Sequence, residues 1–65
     1  MLTSNVKRLM EDKGVTIRAM VEQTGLADVT ILRARKKQIS QCRLYTLEII
    51  AQCLGCKIKD LFEEE

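Results

Sequence analysis

The chain has no histidine, no proline and no tryptophan, and only one tyrosine, one phenylalanine, three glycines and three cysteines. Without histidine it lacks the side chain that most often works as a general base near neutral pH. No nucleophile–base pair can be assembled from what remains, so no enzyme is expected. Without proline, no residue forbids a helix, and the shortage of aromatics suits an all-helical bundle. There is no apolar run of signal-peptide or membrane-spanning length, so no membrane segment is expected. Sixty-five residues that begin at Met1 and close on Glu63-Glu64-Glu65 read as a complete small protein, one domain over 1–65 with an acidic, frayed tail at 63–65. Such a chain buries only about 60% of the surface that its unfolded form exposes. That leaves room for a core and one interaction surface, but hardly for a deep pocket. No cofactor or small-molecule substrate is expected.

Charge is scarce in net terms and concentrated in place. The net charge is +2, yet residues 1–59 hold all eleven Lys and Arg and only five acids, a balance of +6. From Arg33 to Arg43 there are five basic residues and no acid. The segment reads either as a solvated basic loop or as an edge that holds phosphates.

The cysteines are Cys42, Cys53 and Cys56. An odd number without a signal peptide fits a reducing compartment and free thiols. Cys53 and Cys56 have Cys-x-x-Cys spacing, but zinc needs four ligands and the chain offers one further cysteine and no histidine. No metal site is expected, and the thiols read as small apolar groups at a helix end.

What is present is a stretch at 16–37 that reads as helix, tight turn, helix. Thr16 can cap the first helix, over 17–24. Met20 and Val21 face inward, Gly25 stops the helix, and Leu26 plugs the corner. The second helix, over 28–37, turns Ile31 and Ala34 inward and Val29, Leu32, Arg33 and Lys36 outward. A basic, exposed second helix across a glycine turn is the helix-turn-helix arrangement, sized for a DNA major groove.

Around it the periodicity predicts three more helices and no strand. One runs over 4–13, capped by Thr3 or Ser4, with Val6, Leu9 and Met10 on one face and Lys7–Glu11 and Arg8–Asp12 as surface pairs. Residues 38–43 form a loop. A helix over 44–54 turns Leu44, Leu47, Ile50, Ala51 and Leu54 to one side. A short helix over 58–63 folds Leu61 and Phe62 onto the core. The expected core is Leu9, Met20, Val21, Leu26, Ile31, Leu47, Ile50, Ala51, Leu54 and Leu61. The 44–54 helix has a second apolar stripe, Tyr45, Ile49 and Cys53. Either that helix packs on both sides, or the stripe meets another subunit.

The stretch resembles the helix-turn-helix of Cro/CI-type (XRE-type, phage-repressor-like) DNA-binding domains. Val21 stands at the family's small-residue position, Gly25 at its turn glycine, and Ile31 at its buried branched position. The run from Leu44 to Phe62 resembles the family's last two helices, so about residues 5–62 are covered. The resemblance implies an all-α, compact five-helix lambda-repressor-like domain. It implies a sequence-specific double-stranded DNA-binding transcriptional regulator, a repressor, working in the cytoplasm on the nucleoid as a homodimer. Arg33 would read guanine, Val29 and Leu32 would make apolar base contacts, and Asp28 would be a selectivity element. Thr16, Ile17, Lys36, Lys37 and Arg43 would hold phosphates. Tyr45, Ile49, Cys53 and Phe62 would form the dimer contact. The chain departs from the family where Ile17 replaces a backbone-contacting glutamine, Ala27 a capping Ser, Thr or Gly, and Asp28 a common base reader. Arg35 and Lys37 replace a frequent Glu and Gly. The alternative is a protein-interaction or antitoxin-like module on the same fold, with Val29, Leu32, Tyr45 and Ile49 as contacts.

Overall fold

The computed structural model describes residues 2–64. They form a strand β1 (Leu2–Ser4), helices α1 (Val6–Lys13), α2 (Ile17–Thr24), α3 (Asp28–Ala34) and α4 (Leu44–Leu54), and a strand β2 (Phe62–Glu64). Two 3₁₀ helices, Lys37–Gln41 and Ile58–Leu61, precede α4 and β2. Met1 and Glu65, the outer ends of the expected domain and acidic tail, lie outside the described residues.

One buried cluster joins these elements. Val6 and Met10 enter it from α1, Met20 from α2, and Ile31 and Ala34 from α3. The 3₁₀ helices add Ile39 and Leu61. The longest helix, α4, adds Leu47, Ile50, Ala51 and Leu54, the recurrence at three and four residues that puts side chains on one helix face. Helix α2 touches both α3 and α4, and α1 also touches α4. The mostly helical architecture and the helix-turn-helix pair therefore follow the sequence pattern. Leu9, Val21 and Leu26, expected in the core, are half-buried against its edge. Leu44, expected on the core face of α4, is 67% exposed. It opens the helix one turn before Leu47, where the core already ends.

Several expected elements take another form. A sheet exists: β1 and β2 pair antiparallel, with Leu2 opposite Glu64, Thr3 opposite Glu63 and Ser4 opposite Phe62. Three residues per strand are too few for alternation to register, and the partners come from opposite ends of the chain. The predicted fifth helix over 58–63 is instead the 3₁₀ turn Ile58–Leu61 running into β2. Glu63 and Glu64, expected to fray, are held in β2.

The first helix begins at Val6, not at residue 4, because Ser4 belongs to β1 and Asn5 to the junction. Asn5 is buried; its N–H donates to the Leu61 carbonyl at 2.8 Å and its side-chain amide to the Asp60 carbonyl at 3.4 Å. The predicted loop at 38–43 is mostly the 3₁₀ helix Lys37–Gln41, drawn in by Ile39, 1% exposed. The pairs Lys7–Glu11 and Arg8–Asp12 do not close: the ion pair present among the described residues is Arg18–Glu22, 3.5 Å apart on the surface.

Candidate nucleic-acid interface

The site is built on α2, its turn and α3. Thr16 caps α2 as its sequence suggests, its Oγ1 accepting from the Ala19 N–H at 3.1 Å, which satisfies one of the orphan donors of the first turn. Gly25 ends α2 at φ +73°, a backbone shape that any residue with a Cβ takes up at a cost. Its N–H reaches the Val21 carbonyl at 3.0 Å. Thr24 stitches the turn from inside: its hydroxyl donates to the Met20 carbonyl at 2.6 Å and accepts from the Leu26 N–H at 3.1 Å. Leu26 then closes the corner against the core.

Helix α3 has no side-chain cap at Ala27. Asp28 compensates, its Oδ1 accepting from the Val29 N–H at 2.7 Å. Its carboxylate is therefore partly committed to its own helix. Ile31 and Ala34 are fully buried, and at 100° per residue they set the opposite face of α3 outward. Val29 at 48% and Leu32 at 38% exposure form a ridge there, with Arg33 exposed beside them. The helix ends at Ala34, not at residue 37. Lys36 is extended, at φ −124° and ψ −174°, and Lys37 opens the next 3₁₀ helix. Both lysines are exposed, but they follow α3 rather than lie on it.

Two concavities border the ridge. On the Asp28 flank lies an apolar groove of about 520 Å³ lined by Ile17, Arg18, Val21 and Asp28. On the other flank is a cleft of about 240 Å³ between α3 and the start of α4, lined by Thr30, Arg33, Gln41, Cys42, Arg43 and Thr46. Arg33 and Arg43 thus share one cleft, and neither has a carboxylate partner among the described residues. Thr30, Gln41 and Thr46 carried no sequence signal, since their meeting depends on where the 3₁₀ helix delivers the chain.

The thiols are free. Burial pushes the Cys42 thiol above its ordinary value, and the Arg33 guanidinium offsets part of that rise. Burial, then the Asp60 carboxylate, pushes Cys56 up, against a pull downward from Lys13. Cys53, on α4, packs against α2: its Sγ is 3.3 Å from the Met20 Sδ and donates to the Gln23 Oε1 at 3.0 Å. Of the other residues assigned to a dimer contact, Tyr45 is 70% exposed, Ile49 is half-buried, and Phe62 is half-buried in β2 against the core. Thr16 and Arg43 are exposed and Ile17 half-buried.

No curated protein matches the chain significantly. A family model does: that of the Cro/C1-type HTH DNA-binding domain, over residues 5–65. With the match running from the buried Asn5 through the Gly25 turn to the last residue, the chain belongs to the Cro/C1-type helix-turn-helix DNA-binding domain family.

Proposed function

We propose that the protein is a sequence-specific transcriptional regulator, a repressor, that binds double-stranded DNA as a homodimer and lays α3 in the major groove. The observation that carries this reading is the ridge of Val29 and Leu32 between two concavities, with unpaired cations along one side. A helix that enters the major groove needs such a protruding face, with backbone contacts on both flanks. On the α2 flank these contacts are Thr16, Ile17 and the first amides of α2, where the helix dipole favours an anion. On the other flank they are Lys36, Lys37 and Arg43. Val29 and Leu32 touch thymine methyls, and the free oxygen of Asp28 accepts from cytosine N4. Arg33 stands at the margin, where a guanidinium reaches a base edge or a phosphate. A contact through Tyr45 and Ile49, with Cys53 and Phe62 as the further candidates, joins two copies so that two α3 helices meet successive major grooves. Such a regulator works in the cytoplasm, on the nucleoid.

The test is selection of bound duplexes from a random pool. Enrichment of a two-fold symmetric sequence, with half-sites about one helical turn apart, supports the reading. A pool that stays random refutes it. The exposure of Val29, Leu32, Leu44 and Tyr45 favours a second reading, a protein-interaction or antitoxin-like module. Under it, Val29→Glu abolishes binding to a partner protein and leaves duplex binding as it was.

A further inference from the structure

We propose that Arg33 and Arg43 grip one phosphodiester of the DNA backbone in the cleft between α3 and the start of α4, so that Arg33 positions the helix and does not read a base. This deepens the regulator reading and rests on it.

Arg33 and Arg43 come from different elements yet line the same cleft. Two cations on one cleft repel each other unless an anion joins them. Among the described residues none does: no carboxylate lies within 4.0 Å of either side chain, and neither guanidinium has a hydrogen-bond partner. The rest of the lining is neutral and can donate hydrogen bonds, through the hydroxyls of Thr30 and Thr46 and the amide of Gln41. No acid lines it. Arginine forks match phosphate oxygens in pairs, so this donor set fits a phosphate better than any neutral base edge. The start of α4 adds to it. Arg43 precedes that eleven-residue helix and makes no side-chain cap, so no side chain there competes for the orphan amides of its first turn.

The location agrees. The cleft opens on the Thr30–Arg33 flank of α3 and not on the Val29–Leu32 ridge. When the ridge points at the groove floor, a backbone strand runs along that flank. Specificity then falls to Val29, Leu32 and Asp28. The protein should select thymine-rich half-sites with no guanine fixed by Arg33.

The test is neutralisation of single phosphates in the selected duplex by methylphosphonate substitution, read by fluorescence anisotropy with the full chain. Arg33→Ala and Arg43→Ala, both at exposed positions, are checked for folding by circular dichroism. The parent should have one backbone position per half-site at which neutralisation weakens binding. Both variants should lose sensitivity at that same position, and both should weaken random and selected duplexes by the same factor. Exchanging chloride for inorganic phosphate at fixed ionic strength tests whether a free anion is the occupant instead. Competition of phosphate with DNA that Arg33→Ala removes supports one shared phosphate site, whereas phosphate that binds through Arg33 and leaves duplex binding unchanged overturns the backbone assignment. If Arg33→Ala changes the preferred base while keeping phosphate sensitivity, the assignment also falls, and the regulator reading stands. A parent that binds no duplex overturns both.

Discussion

The Ser4 hydroxyl, in the first strand, donates a hydrogen bond to the carbonyl of Ala34, the last residue of α3. Helix ends leave carbonyls without partners, and here a strand thirty residues away supplies one. The same Ser4 Oγ accepts from the Val6 N–H at 3.2 Å, so one side chain starts α1 and finishes α3. Ser4→Ala should cost about 1 kcal/mol for the lost bond, seen as a lower urea midpoint at constant slope. An unchanged midpoint would show that the strand does not hold α3 in place.

Ile39 is 1% exposed and anchors the 3₁₀ helix that carries the chain from α3 to α4. Ile39→Ala should cost roughly 2–5 kcal/mol, as much as Leu47→Ala in the centre of the bundle. Leu44→Ala, at a 67% exposed position, should stay within about 0.5 kcal/mol of the parent. Thermal melts of the three variants check the order. Equal effects for Ile39 and Leu44 would place the 3₁₀ helix off the core.

The helix-turn-helix was legible because its signals are local: Thr16 caps, Gly25 stops, and Ile31 and Ala34 repeat at three residues. Helix α4 was legible for the same reason, except at Leu44, whose exposure depends on where the core ends. The end of α3 was not legible. Arg35-Lys36-Lys37 are good helix formers, and only the distant Ser4 and the burial of Ile39 pull the chain out of the helix there. The strands escaped notice because each is three residues long and their pairing joins the two ends of the chain. Arg33 carried a sequence signal as a base reader; its cleft with Arg43 exists only once the 3₁₀ helix is in place.

Gly25 sits at φ +73°, with open space where a Cβ would project. Gly25→Ala should therefore cost about 1–2 kcal/mol from backbone conformation alone. Gly25→Asn should cost less, because asparagine tolerates the left-handed region better. Denaturant titration of the two variants measures the difference. A larger loss in alanine than this range would mean that the turn is crowded.

Cys42 and Cys56 both have thiols raised above the ordinary 9.0. In the unfolded chain they ionise first, so the stability tied to them is complete below pH 9.0 and is lost as the pH climbs through the raised folded values. Stability measured across that alkaline range should fall more steeply for the parent than for the Cys42→Ser, Cys56→Ser double variant. Parallel slopes would mean that neither thiol is desolvated by folding.

The salt dependence of binding to the selected duplex tests the DNA surface most directly. If each subunit of a dimer neutralises about three phosphates, log K should fall against log salt with a slope near −5, and Lys36→Ala should flatten it by about one unit per subunit. A slope near zero, or one that Lys36→Ala leaves unchanged, would contradict a duplex seated across α3 and the basic edge from Lys36 to Arg43.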